Sequence, residues 1–153
     1  YAKGVYNVVR NNILVGEEKT GSAITTFEMA NLQCRHHRWT RNIVYLKGAD
    51  THLWGFTNWS DDRFDECDEN LLWKAGGGEY TVRGRFEGGF KAVSLDDWRE
   101  MGFDRNSIVA DPLFVDPDNN DYRLKPDSPA LTLGFKPIDG STCGLLEDFP
   151  FGD

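Results

Sequence analysis

The sequence predicts an all-β chain built as a stacked coil of parallel strands, closed by one short helix and a C-terminal strap. Three observations carry this. A strand–bend–strand unit recurs in the first half. A single stretch, "SLDDWREMGFD", has helical signals. The last third is extended chain stiffened by Pro112, Pro117, Pro126 and Pro129, which lose little entropy on ordering.

The repeat is the first element to justify. "VVRNNILV", "RWTRNIVYL" and "DECDENLLW" each place a polar residue before Asn12, Asn42 or Asn70, then apolar residues, then Gly16, Gly48 or Gly76. The Asn spacings are 30 and 28 residues. The copies lack helical periodicity and are rich in β-branched and aromatic residues. Each reads as a strand, a bend at Asn, and a second strand, because Asn tolerates the left-handed backbone a bend needs. One such unit per turn implies a coil whose equivalent residues stack about 4.8 Å apart. Asn12, Asn42 and Asn70 then form an amide ladder. By strand alternation Val9, Trp39 and Cys67 point inward, while Val8, Arg38, Glu66 and Arg10, Thr40, Asp68 form outward rows. After the bend both faces are apolar: Ile13, Ile43, Leu71 on one, Leu14, Val44, Leu72 on the other. A strand apolar on both faces must be covered outside. Leu14, Val44 and Leu72 are the row expected under the chain after Ser94, with Trp98 or Phe114 in contact.

The helix follows. Ser94 caps it, Asp96 and Asp97 suit its positive end, and Gly102 stops it. Leu95, Trp98 and Met101 make its apolar stripe. Beyond it, "DPDNN" is a turn, "DYRLK" a short strand and "SPALTLG" a helical turn ending at Gly134. Residues 1–93 are therefore the coil, and residues 94–153 the helix and strap of the same single domain.

The pieces "RNIVYL", "NLLW", "SLDDWREMGFDRNSIVADPLFVDP", "DYRLKPDSPALTLGF" and "PIDGSTCG", in this order, resemble the C-terminal part of bacterial right-handed parallel β-helix proteins of the pectate-lyase-like superfamily. The resemblance implies a right-handed parallel β-helix segment. It also implies the C-terminal part of an extracellular carbohydrate-active protein of polysaccharide hydrolase or lyase type, secreted, periplasmic or on the cell surface. The alternative is a non-catalytic glycan-binding or structural module. Fold is implied more firmly than function.

Composition narrows the partners. With 153 residues the chain can bury a sizeable core. Its net charge of −8 and scattered Lys and Arg argue against nucleic acid and anionic membranes. No apolar run is long enough to span a bilayer. Cys34, Cys67 and Cys143 lack CxxC spacing, so they are either three small buried hydrophobes or one bridge plus a free thiol. No cap precedes "VYNVVRNNILV" after Tyr1, and a coil's raw first turn is adhesive. Upstream turns, a second copy or the C-terminal tail are expected to cover that edge.

The candidate catalytic residues are Glu66 and Asp68. They lie two apart on one strand face, roughly 7 Å at Cβ, and glycoside hydrolysis needs two carboxylates about 5–5.5 Å or about 6.5–9.5 Å apart. The competing reading is a pair of solvated charges beside Arg38 and Arg10. Trp54 and Trp59 are candidate flat faces for sugar rings. Arg38 and His36, in the basic run Arg35–Arg38, are candidate substrate contacts. Adjacent His36 and His37 face opposite ways in a strand, so no metal site is expected there, and no cofactor is implied. The run "DPDNNDYRLKPD" superficially matches a calcium loop, but Pro117 stiffens it and Asp121 stands where glycine is needed. Asn58 begins a glycosylation sequon, meaningful only in a secreting eukaryote.

Overall fold

The computed structural model describes residues 4–16, 21–26 and 34–140; Cys143 lies outside them. Three strand triplets follow one another. The first is β1 (Val8–Arg10), β2 (Ile13–Gly16) and β3 (Gly21–Thr26). The second is β4 (His37–Thr40), β5 (Ile43–Leu46) and β6 (Thr51–Phe56). The third is β7 (Phe64–Asp68), β8 (Leu71–Lys74) and β9 (Thr81–Phe86). Each triplet contributes one strand to each of three sheets, ordered β1-β4-β7, β2-β5-β8 and β3-β6-β9, and every pairing among them is parallel. The fold is thus all-β with parallel sheets, and each triplet, called a rung below, pairs strand by strand with the one before.

The register is the one read from the repeat. Val9 pairs with Trp39 and Trp39 with Cys67, and Val8, Arg38 and Glu66 line up beside them. The bend differs in detail. The left-handed residue is the one before each asparagine: Asn11 at φ 60°, Arg41 at φ 55° and Glu69 at φ 56°. This leaves Asn12, Asn42 and Asn70 free to project into the stack. Asn12 Nδ2 donates to Asn42 Oδ1 at 3.0 Å, and Asn42 Nδ2 to Asn70 Oδ1 at 3.3 Å. The backbone N–H of Asn12 donates to Asn42 Oδ1, and that of Asn42 to Asn70 Oδ1.

The corner also reverses the expected faces of the middle sheet. With Asn42 turned inward, Val44 and Leu46 follow it into the interior, and so does Leu72, joining Trp39, Leu53, Trp54, Phe56 and Phe64. The row under the strap is instead Ile43, Tyr45 and Leu71, covered by Phe114, Ala130 and Phe135. Of the chain after Ser94 expected over Leu14, Val44 and Leu72, Trp98 belongs to their cluster and Phe114 does not: a single left-handed residue shifts strand parity by one.

The third sheet ends in a hairpin, β10 (Gly89–Ser94) running antiparallel to β9. Gly84 of β9 has no alternative there, since a Cβ would sit 2.9 Å from Phe56 Cβ. Helix α1 (Leu95–Glu100) starts with a reciprocal cap between Ser94 and Asp97. It plugs the end of the stack, Trp98 at 0% exposure against Phe56, Phe64 and Phe103, while Met101 stays exposed. After the plug, β11 (Ile108–Val109) adds to β8 in parallel. The strap is the antiparallel pair β12 (Phe114–Asp116) and β13 (Asp121–Leu124), then a 3-10 turn over Pro129–Leu133 ended by left-handed Gly134. At its far end Lys136 and Asn11 exchange two bonds, the Lys136 N–H donating to Asn11 Oδ1 and Asn11 Nδ2 to the Lys136 carbonyl. The strap therefore runs back to the first rung.

Candidate functional site

The outer face of the β1-β4-β7 sheet gathers the polar residues that the sequence singled out. Its geometry turns on an irregularity between β4 and β7. His37 pairs with Phe64 and Arg38 with Glu66, so Asp65 is an extra residue on β7. Such a bulge re-aims side chains. Here it leaves Asp65 and Glu66 both exposed, while Phe64 and Cys67 on either side are buried. Two consecutive carboxylates thus face solvent from a strand that should alternate. As for any consecutive residues, their Cα atoms are about 3.8 Å apart.

The neighbours are ordered around them. His36, at φ 59°, turns out of the strand, and its Nδ1 lies 2.8 Å from Asp65 Oδ1. The Tyr6 ring stacks on His36 at 5.1 Å with the planes 12° apart. Arg38 stands beside Glu66 in register and is exposed. One step toward the corner, Arg35 donates to Asp62 Oδ2 at 2.6 Å. The Ser60 hydroxyl first, and Arg35 with it, hold the Asp62 carboxyl below its ordinary range. The surface is an open, mixed-charge strip with an aromatic edge at Tyr6.

The other predicted residues are placed elsewhere. Asp68 is engaged structurally: Oδ1 accepts from the N–H groups of Glu69 at 2.8 Å and Asn106 at 2.7 Å, and Oδ2 from Asn106 Nδ2 at 2.7 Å. It braces the loop after α1 against the corner and has little acceptor capacity left for acid–base work. Trp54 is 2% exposed, edge-on to Trp39 at 4.8 Å. The reading of Trp54 as a sugar platform is corrected, because inward alternation on β6 makes it core. Trp59 is half-buried against Phe56 and Trp98, with Nε1 donating to Asp61, so its ring faces are used for packing. Of the predicted set, Glu66, Arg38 and His36 share one surface, and Asp65 joins them.

Two buried polar centres lie behind this surface. His37, 1% exposed, has Nε2 3.1 Å from Cys34 Sγ and Nδ1 3.4 Å from Asn7 Nδ2. Burial first, and Arg63 second, push its pKa down. The thiol of Cys34 is itself fully buried, which withholds this Cys-His pair from substrate. The second centre is Asp104, which ends the amide ladder. Its carboxylate accepts from Asn70 Nδ2 at 2.9 Å, Trp98 Nε1 at 3.0 Å and the Ser107 hydroxyl at 2.5 Å. Desolvation outweighs these bonds and raises its pKa. Sequence reasoning missed both Asp104 and Ser107. A signal existed, since "SIV" at Ser107 repeats the "NIV" of Asn42, and Ser107 Oγ accepts the Asn70 N–H as the asparagines do one rung earlier.

Among the described residues no group of three or more His, Cys, Asp or Glu is placed to hold a metal ion, and the acidic turn around Asp116 is no exception. The strap leaves a groove of about 880 Å³ over Ile13 and Val15, walled by Leu124, Phe135 and Ile138 with Asp121, Arg123 and Asp139 among its polar lining, and it is remote in sequence from the carboxylates. Comparison with protein-family models, with curated proteins and with solved structures finds no match for this chain.

Proposed function

We propose that this chain is the C-terminal part of an extracellular carbohydrate-active protein of the right-handed parallel β-helix type, similar to the pectate-lyase-like superfamily. In this reading polysaccharide lies along the outer face of the β1-β4-β7 sheet. The in-register parallel rungs support the β-helix, and parallel crossovers within a sheet are right-handed in nearly all proteins. The observation that carries the functional reading is the bulge at Asp65, which presents two carboxylates side by side between His36 and Arg38. Glu66, free of the His36 pairing, is assigned to proton transfer at the glycosidic oxygen, with Asp65 as its partner carboxylate. Tyr6 and Arg38 are assigned to holding the sugar. The setting is secreted, periplasmic or cell-surface. A further rung or a second copy covers the first-rung edge, where Val5 and Val8 are 44% and 67% exposed.

A second reading has its own observation. Asp68, which would complete a more widely spaced carboxylate pair, is consumed by Asn106 and Glu69. The face then binds glycan without cleaving it. A screen over plant, algal and bacterial polysaccharides, reading new reducing ends and unsaturated uronate absorbance, separates the two. Turnover abolished in both Glu66→Gln and Asp65→Asn, with folding retained, establishes the enzyme. Retention without turnover, weakened in Arg38→Ala, establishes the binding module. Neither turnover nor retention on any polysaccharide overturns both.

A further inference from the structure

The β9-β10 hairpin builds a second polar concavity, on a different sheet from the carboxylate face. In β9, Arg83 and Arg85 alternate with inward Val82 and Gly84, so both guanidinium groups project outward on one side. Across the hairpin Phe90 pairs with Arg85, and its ring is 54% exposed. The Arg83 guanidinium lies over that ring at 4.9 Å from its centroid. On the neighbouring strand the residue paired with Arg83 is Gly55. Having no side chain, Gly55 leaves a floor where any other residue would fill the space. The result is a cleft of about 380 Å³ bounded by Ser22, Gly55, Thr57, Arg83, Arg85 and Phe90.

The charge of this cleft runs against the rest of the molecule. The chain carries a net charge of −8, yet the described ion pairs engage Arg35, Arg41, Arg99 and Arg123, not Arg83 or Arg85. Two outward guanidinium groups outside the described ion pairs gather like charge in one place, where a protein surface ordinarily intersperses opposite charges. Guanidinium is the group best matched to a planar or tetrahedral oxyanion, which it binds through parallel N–H donors. An aromatic ring beside it offers a face for the C–H side of a sugar. Ser22 and Thr57 also line the cleft.

We propose that this cleft is a saccharide subsite for an anionic residue, the oxyanion of a carboxylate or sulfate lying on Arg83 and Arg85 and the ring face on Phe90. This rests on the glycan reading above and adds to it the charge class of the ligand and a second place of contact. Long anionic glycans would reach both surfaces, while neutral ones would engage the β1-β4-β7 face alone.

Affinity electrophoresis of the whole chain tests this with matched pairs of probes: a polyuronate against its methyl ester, and dextran sulfate against dextran. The expected result is at least about tenfold stronger retention by one or both charged probes, the order expected for one or two charge-assisted contacts. Arg83→Ala/Arg85→Ala should remove that preference and Phe90→Ala should weaken it. Which charged probe is retained decides between carboxylate and sulfate. Equal retention of charged and neutral probes overturns the inference while leaving the glycan reading intact. A preference for the charged probes that survives in the double arginine variant also overturns it. Retention of no probe at all removes the glycan reading and this subsite with it. Arg83→Lys/Arg85→Lys separates fork-like recognition from net charge: equal retention with lysine would overturn the guanidinium assignment. Circular dichroism of each variant confirms that the hairpin is folded.

Discussion

Replacing Asn42 with alanine removes the middle rung of the amide ladder, and the structure sets the size of the effect. Asn42 is 1% exposed. Its Oδ1 accepts from the N–H of Asn12 at 3.1 Å and Nδ2 of Asn12 at 3.0 Å. Its Nδ2 reaches the carbonyls of Val9 at 3.0 Å and Thr40 at 3.1 Å, and Asn70 Oδ1 at 3.3 Å. Each net bond is worth about 1 kcal/mol, and a buried group left without a partner costs about 1–3 kcal/mol. Two amide hydrogens cannot serve all three acceptors fully, so the expected loss is about 3–4 kcal/mol rather than the sum of every contact. Asn12 is exposed and keeps water as an alternative partner, so Asn12→Ala should cost about 1 kcal/mol or less. Urea unfolding followed by tryptophan fluorescence measures both. With an m-value of about 1–3 kcal/mol/M, Asn42→Ala should lower the midpoint by more than about 1 M. If the two variants fall within about 1 kcal/mol of each other, the ladder is geometry without energetic weight, and the reasoning fails.

Other consequences follow from the packing and the buried acid. Asp104 has its pKa raised above the ordinary carboxylate value of 3.8 by burial. A raised folded-state value means the group's contribution is full below that ordinary value and declines as pH rises through the folded value. The unfolding free energy of the wild type minus that of Asp104→Asn should therefore shrink as pH rises above about 4; a difference that grows would refute the assignment. Phe114→Ala opens the strap over Tyr45 and Tyr122, whose rings lie 5.4 and 5.2 Å from it, and should cost about 3–5 kcal/mol by thermal or urea unfolding. A loss under about 1 kcal/mol would mean the strap is not a seal. Ser94→Ala removes the α1 cap and should cost about 1 kcal/mol. Amide exchange should then rise first around α1 and the Asp104 loop, and a uniform rise across the molecule would contradict a local plug.

What the sequence determined by itself was the repeat and its pairing. The spacing of Asn12, Asn42 and Asn70 was enough to align Val9 with Trp39 and Cys67, because parallel stacking requires equivalent residues to meet. Proline and glycine placement likewise located the strap and its turns, and Ser94 marked the helix start. These are local or strictly periodic constraints, which a linear string preserves. The tertiary structure alone decided the faces. One left-handed residue at Arg41 moved Val44 inside and Ile43 out, and one extra residue at Asp65 put two carboxylates on the same side. Strand parity is an accumulated quantity, so a single irregularity inverts every assignment after it. The same holds for Trp54, which composition marks as a sugar platform and packing makes core. Asp104 shows the other limit: it resembles any surface aspartate until the loop after α1 folds over the ladder and brings Asn70, 34 residues away, to the same carboxylate as its near neighbours Trp98 and Ser107.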